Sequence, residues 1–278
     1  MSKIIITDKL TGKQLFDFLI ENKDALIAQK KSLTKFTDAV SFAPTFYSEK
    51  NKEIFKAAGA AVSDDVNSLL VKVVANTSLW CDSHMDVLLR DSAKKSIKER
   101  KGMIPHLHDH VYNVVDAEVG DVKDIYYEDI PLKELGVNKI GSGQALVFET
   151  NIQKSYNEKV FNKYKAGRIK QHSIGLIYTK LELAINDEES EKEFDFWNKY
   201  VDQVINRELV EEKGYFWVVP EYRLLENSAV LFGSNILTPT LDIKLDTSDQ
   251  PDSSTGKKPS EEQDFNLMDA INQTKFFN

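Results

Sequence analysis

Residues 171–183 read Gln-His-Ser-Ile-Gly-Leu-Ile-Tyr-Thr-Lys-Leu-Glu-Leu, and they follow a helical segment that Gly167 is placed to end. Residues 174–183 are rich in β-branched and apolar side chains, which predicts a strand with Ser173 at its start. The same strand character recurs elsewhere in the chain, at residues 69–75, 121–127, 144–149, 215–219 and 228–232. Strands therefore dominate the middle of the chain.

Helical segments precede and interrupt these strands. The first, within residues 11–40, opens on a capping box and continues with apolar residues at helical spacing. The second opens on the capping box of Ser155 and Glu158 and ends at Gly167. The third, about 187–213, starts with an acidic run and carries one apolar stripe. Amphipathic helices of this kind predict an α+β fold in which they pack on a sheet or barrel.

The chain divides into three parts. Residues 1–65 are predicted to form a helical N-terminal region, and residues 66–245 the main domain, with the helical stretch 187–213 inserted in it. Residues 246–264 are nineteen residues without one hydrophobic side chain, so they cannot bury anything. Beyond them Phe265, Met268 and Ile271 form a short amphipathic patch. Residues 246–278 are therefore predicted to be a disordered tail with an apolar docking element at its end.

Composition limits the class of protein. With 41% hydrophobic and 29% charged residues, a chain of 278 residues is an ordinary globular protein that needs no disulfide or structural metal to fold. The single Cys81 and the lack of a signal-peptide pattern predict a cytoplasmic location, and no apolar run is long enough for a membrane span. The net charge of −8 disfavours nucleic acid as a partner and suits a neutral or basic protein.

The histidines are few and unevenly placed. The cluster His106, His108 and His110 would lie on one face of an extended strand, because side chains alternate with period two. One interpretation is a solvated surface strand. A second is a metal site, completed by further ligands from Asp82, His84 and Asp86. A third is that one of the histidines is the general base for a nucleophile.

Two residues are candidates for that nucleophile. Cys81, in Leu-Trp-Cys, is typical of a buried thiol. Ser173 is the better candidate, because the small residues around it would let a substrate carbonyl and backbone N–H donors come close. Glu226 is an isolated carboxylate entering an apolar strand, where it either orients a histidine or faces water from an edge strand. Together these residues suggest a serine, a histidine and a carboxylate acting as a unit.

The order of these elements resembles the prohead maturation proteases of tailed bacteriophages. That family typically shows an Asp-His or Asn-His element followed by an apolar-Gly pair, then a Ser-Ile-Gly motif, then a Glu-x-Ser-x-Val stretch ending near Ala-Asn. The matching elements, within about residues 70–242, are Asp109-His110 with Val119-Gly120, Ser173-Ile174-Gly175, and Glu226 to Val230 with Ser234-Asn235.

The resemblance implies a serine endopeptidase with the fold of herpesvirus assemblins, a compact β-barrel wrapped by helices. Ser173 would be the nucleophile, His110 the base and Glu226 the third member of the triad, which is a histidine in the herpesvirus enzymes. The spacing from His110 to Gly120 is longer than the family pattern, so His108, followed by an aspartate, is an alternative base. The oxyanion donors would be backbone N–H groups.

The same resemblance implies partners and a place of action. The enzyme would cleave the scaffold protein and the major capsid protein inside the prohead in the host cytoplasm. Because the tail has no side chain able to join a core, its exposed backbone is expected to be cleaved by the enzyme itself between about Leu241 and Asp264. No cofactor, metal, nucleic acid or membrane is expected, and a homo-oligomer is possible. Two other functions stay open at this stage, a metal-dependent hydrolase built on the histidine cluster and a noncatalytic capsid assembly protein.

Overall fold

The protein is described here from a computed structural model, which covers residues 4–6, 10–32 and 66–245. Two helices come first, α1 (Gly12–Glu21) and α2 (Lys23–Ser32). The elements that follow are β1 (Ser68–Thr77), β2 (Asp86–Leu88), α3 (Lys94–Arg100), β3 (His106–His108), β4 (Glu118–Pro131), β5 (Ser142–Gln153), α4 (Glu158–Lys165), β6 (Gln171–Ile185), α5 (Glu191–Tyr200), α6 (Arg207–Lys213), β7 (Tyr215–Val230) and β8 (Thr240–Leu245).

The eight strands form one sheet, with β7 as its longest strand. The order is β2, β7, β3, β4, β5, β1, β8, and β6 pairs with β7 as well. Two short strands, β2 and β3, run parallel to different parts of β7, at residues 217–219 and 227–229. The other pairings in the sheet are antiparallel. The C-terminal part of β7 is therefore held between β3 and β6.

The mixed α+β class is confirmed, but the predicted closed β-barrel is wrong, because the sheet is open. Its two sides approach each other at an isolated bridge between Gln171 in β6 and Pro239, just before β8. The carbonyl of Pro239 accepts a hydrogen bond from Val74 N at 2.9 Å. Proline has no N–H to donate, so a regular ladder cannot continue through this position.

Helices cover the sheet where its strands are most apolar. In α1 and α2, Leu15, Leu19 and Leu26 are buried in the main core. The predicted insertion 187–213 is the connection between β6 and β7, and it contains two helices, α5 and α6, in place of one. Trp197 of α5 packs on Phe216 of β7, with ring centroids 5.5 Å apart. None of the helices in the described ranges is long and apolar enough to cross a membrane.

Two helix ends show how well the local patterns predict boundaries. Helix α4 is capped by Asn157, whose side chain accepts from Val160 N, so Ser155 is not the cap that the sequence predicted. Gly167 does end this helix, in the left-handed conformation with φ of 62°. The predicted disordered tail 246–278 and the residues 33–65 lie outside the described residues, so the proposed domain boundaries stay predictions.

Candidate functional site

A tight turn after β3 carries the first residue of the candidate site. Asp109 and His110 both have positive φ, 50° and 54°, and Val111 N donates to His108 O at 3.1 Å. Positive φ at both central residues defines a type I′ turn. Left-handed backbone is uncommon for residues other than glycine, and it costs on the order of 1–2 kcal/mol per residue. The turn takes His110 off the strand and folds it back over β7.

Over β7, His110 meets a fully buried carboxylate. Its Nδ1 lies 2.7 Å from Glu226 Oε1, and the His110 and Glu226 side chains are 7% and 0% exposed. The same Oε1 accepts from the Tyr112 hydroxyl at 3.0 Å, and Oε2 accepts from Ser228 Oγ at 2.7 Å. Ser228 Oγ in turn accepts from His110 N at 3.1 Å. Glu226 is thus surrounded by donors from two segments.

This arrangement settles which protons lie where. An ionised carboxylate can only accept, and three donors directed at one buried carboxyl group are the partners of its charged form. His110 must then carry its proton on Nδ1, which leaves a lone pair on Nε2. Burial, with the Glu226 charge beside it, raises the pKa of the Tyr112 hydroxyl well above its usual value, so Tyr112 remains a donor.

Ser173 lies on the same face of the sheet as this group. In the β6–β7 pairing Ser173 is directly opposite Ser228, and Gly175 is opposite Glu226. Directly paired residues of antiparallel strands have Cβ atoms about 5 Å apart and point to the same side. The buried Ser173 is therefore one side chain away from the atoms that hold His110. The structure pairs His110 with Glu226 and places Ser173 on the sheet face to which Glu226 belongs.

Gly175 leaves the space that the Tyr112 hydroxyl and the Glu226 carboxylate occupy. A Cβ added at this position would lie 2.1 Å from the Tyr112 hydroxyl and 2.5 Å from Glu226 Oε1. These distances are shorter than any that real side chains show, so the Tyr112–Glu226 hydrogen bond requires glycine on the opposite strand. The Ser-Ile-Gly element thus contributes the serine and the space beside the carboxylate.

The three clustered histidines do not share one face, and that prediction is wrong. Only His106 and His108 belong to β3, because alternation holds along extended backbone and the turn at 109–110 interrupts it. His108 Nδ1 contacts Asp109 Oδ2 at 3.1 Å, and its Nε2 lies 3.4 Å from the Asn157 side chain. The structure therefore pairs Glu226 with His110 and leaves the alternative base His108 on the other side of the turn.

The residues proposed as metal ligands lie in separate environments. Asp82 Oδ1 accepts from the backbone N–H groups of His84 and Asp86, and the Asp86 carboxylate is paired with Lys30 at 2.6 Å and with the Tyr178 hydroxyl. Among the residues that the structure describes, no three histidine, cysteine or acidic side chains converge on a common point. Cys81 is buried, as its local sequence predicted.

Two residues of the group were not assigned roles from the sequence. Tyr112 follows His110 by two residues, and only the turn at 109–110 brings its hydroxyl to Glu226. Ser228 was part of the Glu-x-Ser-x-Val element, and its position two residues after Glu226 was the available signal. On a strand, residues i and i+2 share a face, so Ser228 is placed beside the carboxylate.

Comparison with known proteins finds no match. No protein-family model matches the sequence, and neither the curated proteins nor the solved structures include one that matches it. The resemblance to prohead proteases therefore rests on the short sequence motifs alone.

Proposed function

We propose that this protein is a serine endopeptidase that cleaves scaffold and capsid proteins during prohead maturation. The observation that carries the proposal is the bond of 2.7 Å from His110 Nδ1 to the fully buried Glu226, on the sheet face that also bears Ser173. A buried carboxylate that holds an imidazole beside a serine is the arrangement of serine hydrolases.

In the proposed reaction Ser173 Oγ attacks the scissile carbonyl carbon while His110 Nε2 takes the hydroxyl proton. The new O–C bond gives a tetrahedral intermediate, whose oxyanion we infer is held by backbone N–H groups. Its collapse breaks the C–N bond, and His110 passes the proton to the leaving amine. Water then attacks the acyl carbon and gives a proton to His110. Collapse of this second intermediate breaks the bond between the acyl carbon and Ser173 Oγ, His110 returns the proton to Oγ, and the acid product leaves.

Glu226 would act without bonding to substrate. Its charge favours the imidazolium that forms when His110 takes the proton, and the Nδ1 hydrogen bond fixes the tautomer in which Nε2 is the base. Tyr112 and Ser228 donate to the same carboxylate and restrict its orientation. We therefore assign Ser173 and His110 to the chemistry and Glu226, Tyr112 and Ser228 to positioning.

The proposed partners are the scaffold protein, the major capsid protein and the chain's own tail, met inside the precursor capsid. They follow from the motif resemblance and from the net charge of −8, which suits protein better than nucleic acid. A noncatalytic assembly protein would not require a fully buried carboxylate that is hydrogen-bonded to a histidine on the sheet face that bears a serine.

A fluorophosphonate probe, which forms an adduct with activated serines, tests the proposal without a known substrate. We expect the purified wild type to form an adduct that mass spectrometry maps to Ser173, and Ser173→Ala to form none. His110→Ala should react at least about 100-fold more slowly. Ser142→Ala, which changes an exposed strand serine, is the matched control and should react like the wild type.

Each variant needs a circular dichroism spectrum of the wild-type shape, because an unfolded protein would also fail to react. A folded wild-type protein without an adduct at Ser173, or an adduct that survives His110→Ala at an unchanged rate, would contradict the proposal.

A further inference from the structure

Behind the candidate site, on the other face of the sheet, a buried chain of hydrogen bonds joins four side chains and one backbone carbonyl. The Tyr164 hydroxyl lies 3.1 Å from His106 Nε2 and 3.0 Å from His172 Nε2. His106 Nδ1 contacts Thr150 Oγ1 at 2.9 Å, and His172 Nδ1 contacts the Thr238 carbonyl at 3.3 Å. All five residues are buried. We call this set the histidine–tyrosine chain.

The hydrogen bonds of the histidine–tyrosine chain run in one consistent order from donor to acceptor. A carbonyl can only accept, so His172 donates from Nδ1 to Thr238, and its neutral ring then accepts at Nε2 from the Tyr164 hydroxyl. The Tyr164 oxygen accepts from His106 Nε2–H, which leaves His106 Nδ1 to accept from the Thr150 hydroxyl. Burial lowers the pKa of both imidazoles, that of His172 to about 4, so both rings are neutral as this order requires. Every polar atom of the two rings is thereby satisfied.

The histidine–tyrosine chain crosses β7, the strand that carries Glu226. His106 is on β3 and His172 on β6, and these strands lie on opposite sides of β7. Their rings approach to 5.9 Å between centroids over β7, where Ala229 is paired with His172. Two strands on either side of a third are about 9–10 Å apart, so the two imidazoles lean together and Tyr164 joins them. The histidine–tyrosine chain thus links β3 to β6 across β7, in addition to the backbone ladders that pair each of them with β7.

The same two strands hold the proposed base and nucleophile on the front face. His110 follows His106 by four residues, through the tight turn, and Ser173 directly follows His172. Any change in the β3–β6 spacing on the back face moves His110 relative to Ser173 on the front face.

We propose that Tyr164 is a positioning residue, whose hydroxyl sets the distance between His110 and Ser173 by joining His106 to His172 through the sheet. This role rests on the proposed serine endopeptidase function. Tyr164 contacts no reacting atom, and it acts through the two strands. Misplacement of a reacting group by 1 Å costs about 100-fold in rate, so a shift of a fraction of an ångström is enough to measure.

Tyr164→Phe tests the role, because it removes the hydroxyl and keeps the ring. We expect its second-order rate of reaction with the fluorophosphonate probe to fall at least about 10-fold. Tyr178→Phe is the matched control: Tyr178 is a buried tyrosine of β6, the strand that carries Ser173, and its hydroxyl donates to the remote Asp86. It should lose stability without a comparable loss of reactivity.

A second variant and a spectroscopic measurement keep the test decisive if Tyr164→Phe folds poorly. Thr150→Val removes the first donor of the chain and keeps the side-chain shape, and we expect a smaller loss of reactivity in the same direction. In wild-type protein, imidazole ¹⁵N shifts should report the proton on Nδ1 of His172 and on Nε2 of His106. The opposite tautomers would overturn the chain itself.

The outcomes separate this inference from the proposed function. A wild type that forms no adduct at Ser173 overturns the proposed function and the positioning role with it. A reactive wild type with Tyr164→Phe and Thr150→Val reacting at the same rate overturns the positioning role alone. A reactive wild type, slow Tyr164→Phe and wild-type-like Tyr178→Phe are the result that supports it.

Discussion

Gly175→Ala is the smallest change expected to disable the candidate site. The added Cβ would lie 2.1 Å from the Tyr112 hydroxyl and 2.5 Å from Glu226 Oε1, whereas real Cβ contacts begin near 3.0 Å. The hydroxyl must therefore retreat by about 0.9 Å and the carboxylate by about 0.5 Å. The backbone at Gly175 is in the extended conformation of β6, which alanine adopts without strain, so the effect is confined to these two side chains.

Movement of Glu226 by this amount breaks or lengthens the 2.7 Å bond to His110. Loss of that bond frees the imidazole to change its tautomer and tilt away from Ser173. We expect the rate of reaction with a fluorophosphonate to fall by about 10-fold to 100-fold. The free energy of unfolding should fall by about 1–3 kcal/mol, the usual cost of an extra methyl group in a packed region.

The control is Gly143→Ala in β5. Its Cβ would lie 2.7 Å from Thr77 Cγ2 and 3.1 Å from Leu135 Cδ1, which is a smaller overlap in a part of the core remote from the site. Urea unfolding of both variants gives their stabilities, and probe labelling gives their reactivities. We expect both variants to lose stability, Gly175→Ala the more of the two, and only Gly175→Ala to lose reactivity. Equal reactivity of the two variants would refute the role assigned to the Tyr112–Glu226 contact.

Three further outcomes are expected. His110→Ala should be at least as damaging as His108→Ala, because only His110 contacts Glu226; the reverse ranking in matched kinetics would reassign the base. Glu226→Gln should slow turnover less than Ser173→Ala does, since the carboxylate orients and does not react, and equal losses in folded protein would argue for a larger role. Acid should destabilise the fold, because His172 takes up a proton near pH 6.5 in the unfolded chain but stays neutral to about pH 4 in the folded protein. The free energy of unfolding should therefore fall by about 3 kcal/mol from pH 6.5 to pH 4. Urea titrations whose midpoint stays constant from pH 7 to pH 4 would exclude this.

Much of the secondary structure could be predicted from local patterns, but the extent of β7 could not. The sequence suggested separate strands at 215–219 and 228–232, whereas one strand runs from Tyr215 to Val230. Pro220 and the polar residues after it obscured the continuity. They are tolerated because β7 is paired by different strands at its two ends, and its ladder with β6 contains register shifts. Which strands pair, and whether the sheet closes into a barrel, depends on contacts between segments that are far apart in the sequence.

The candidate site was predictable where a residue departed from its local pattern. Glu226 is an acidic residue in an apolar strand, and the structure buries it completely. The histidine cluster was interpreted with strict alternation, which fails at the left-handed turn of Asp109 and His110. The partners of Tyr112, and the meeting of His106 with His172 at Tyr164, depend on chain segments up to 114 residues apart. Local periodicity does not show which residues meet at that separation.

The most direct test of the central claim is mass spectrometry of scaffold and capsid proteins incubated with wild-type protein and with Ser173→Ala, each shown to be folded. The account predicts defined cleavage products of these proteins with the wild type and none with Ser173→Ala. Cleavage by folded Ser173→Ala at the wild-type rate, or capsid maturation that proceeds unchanged with it, would contradict the account.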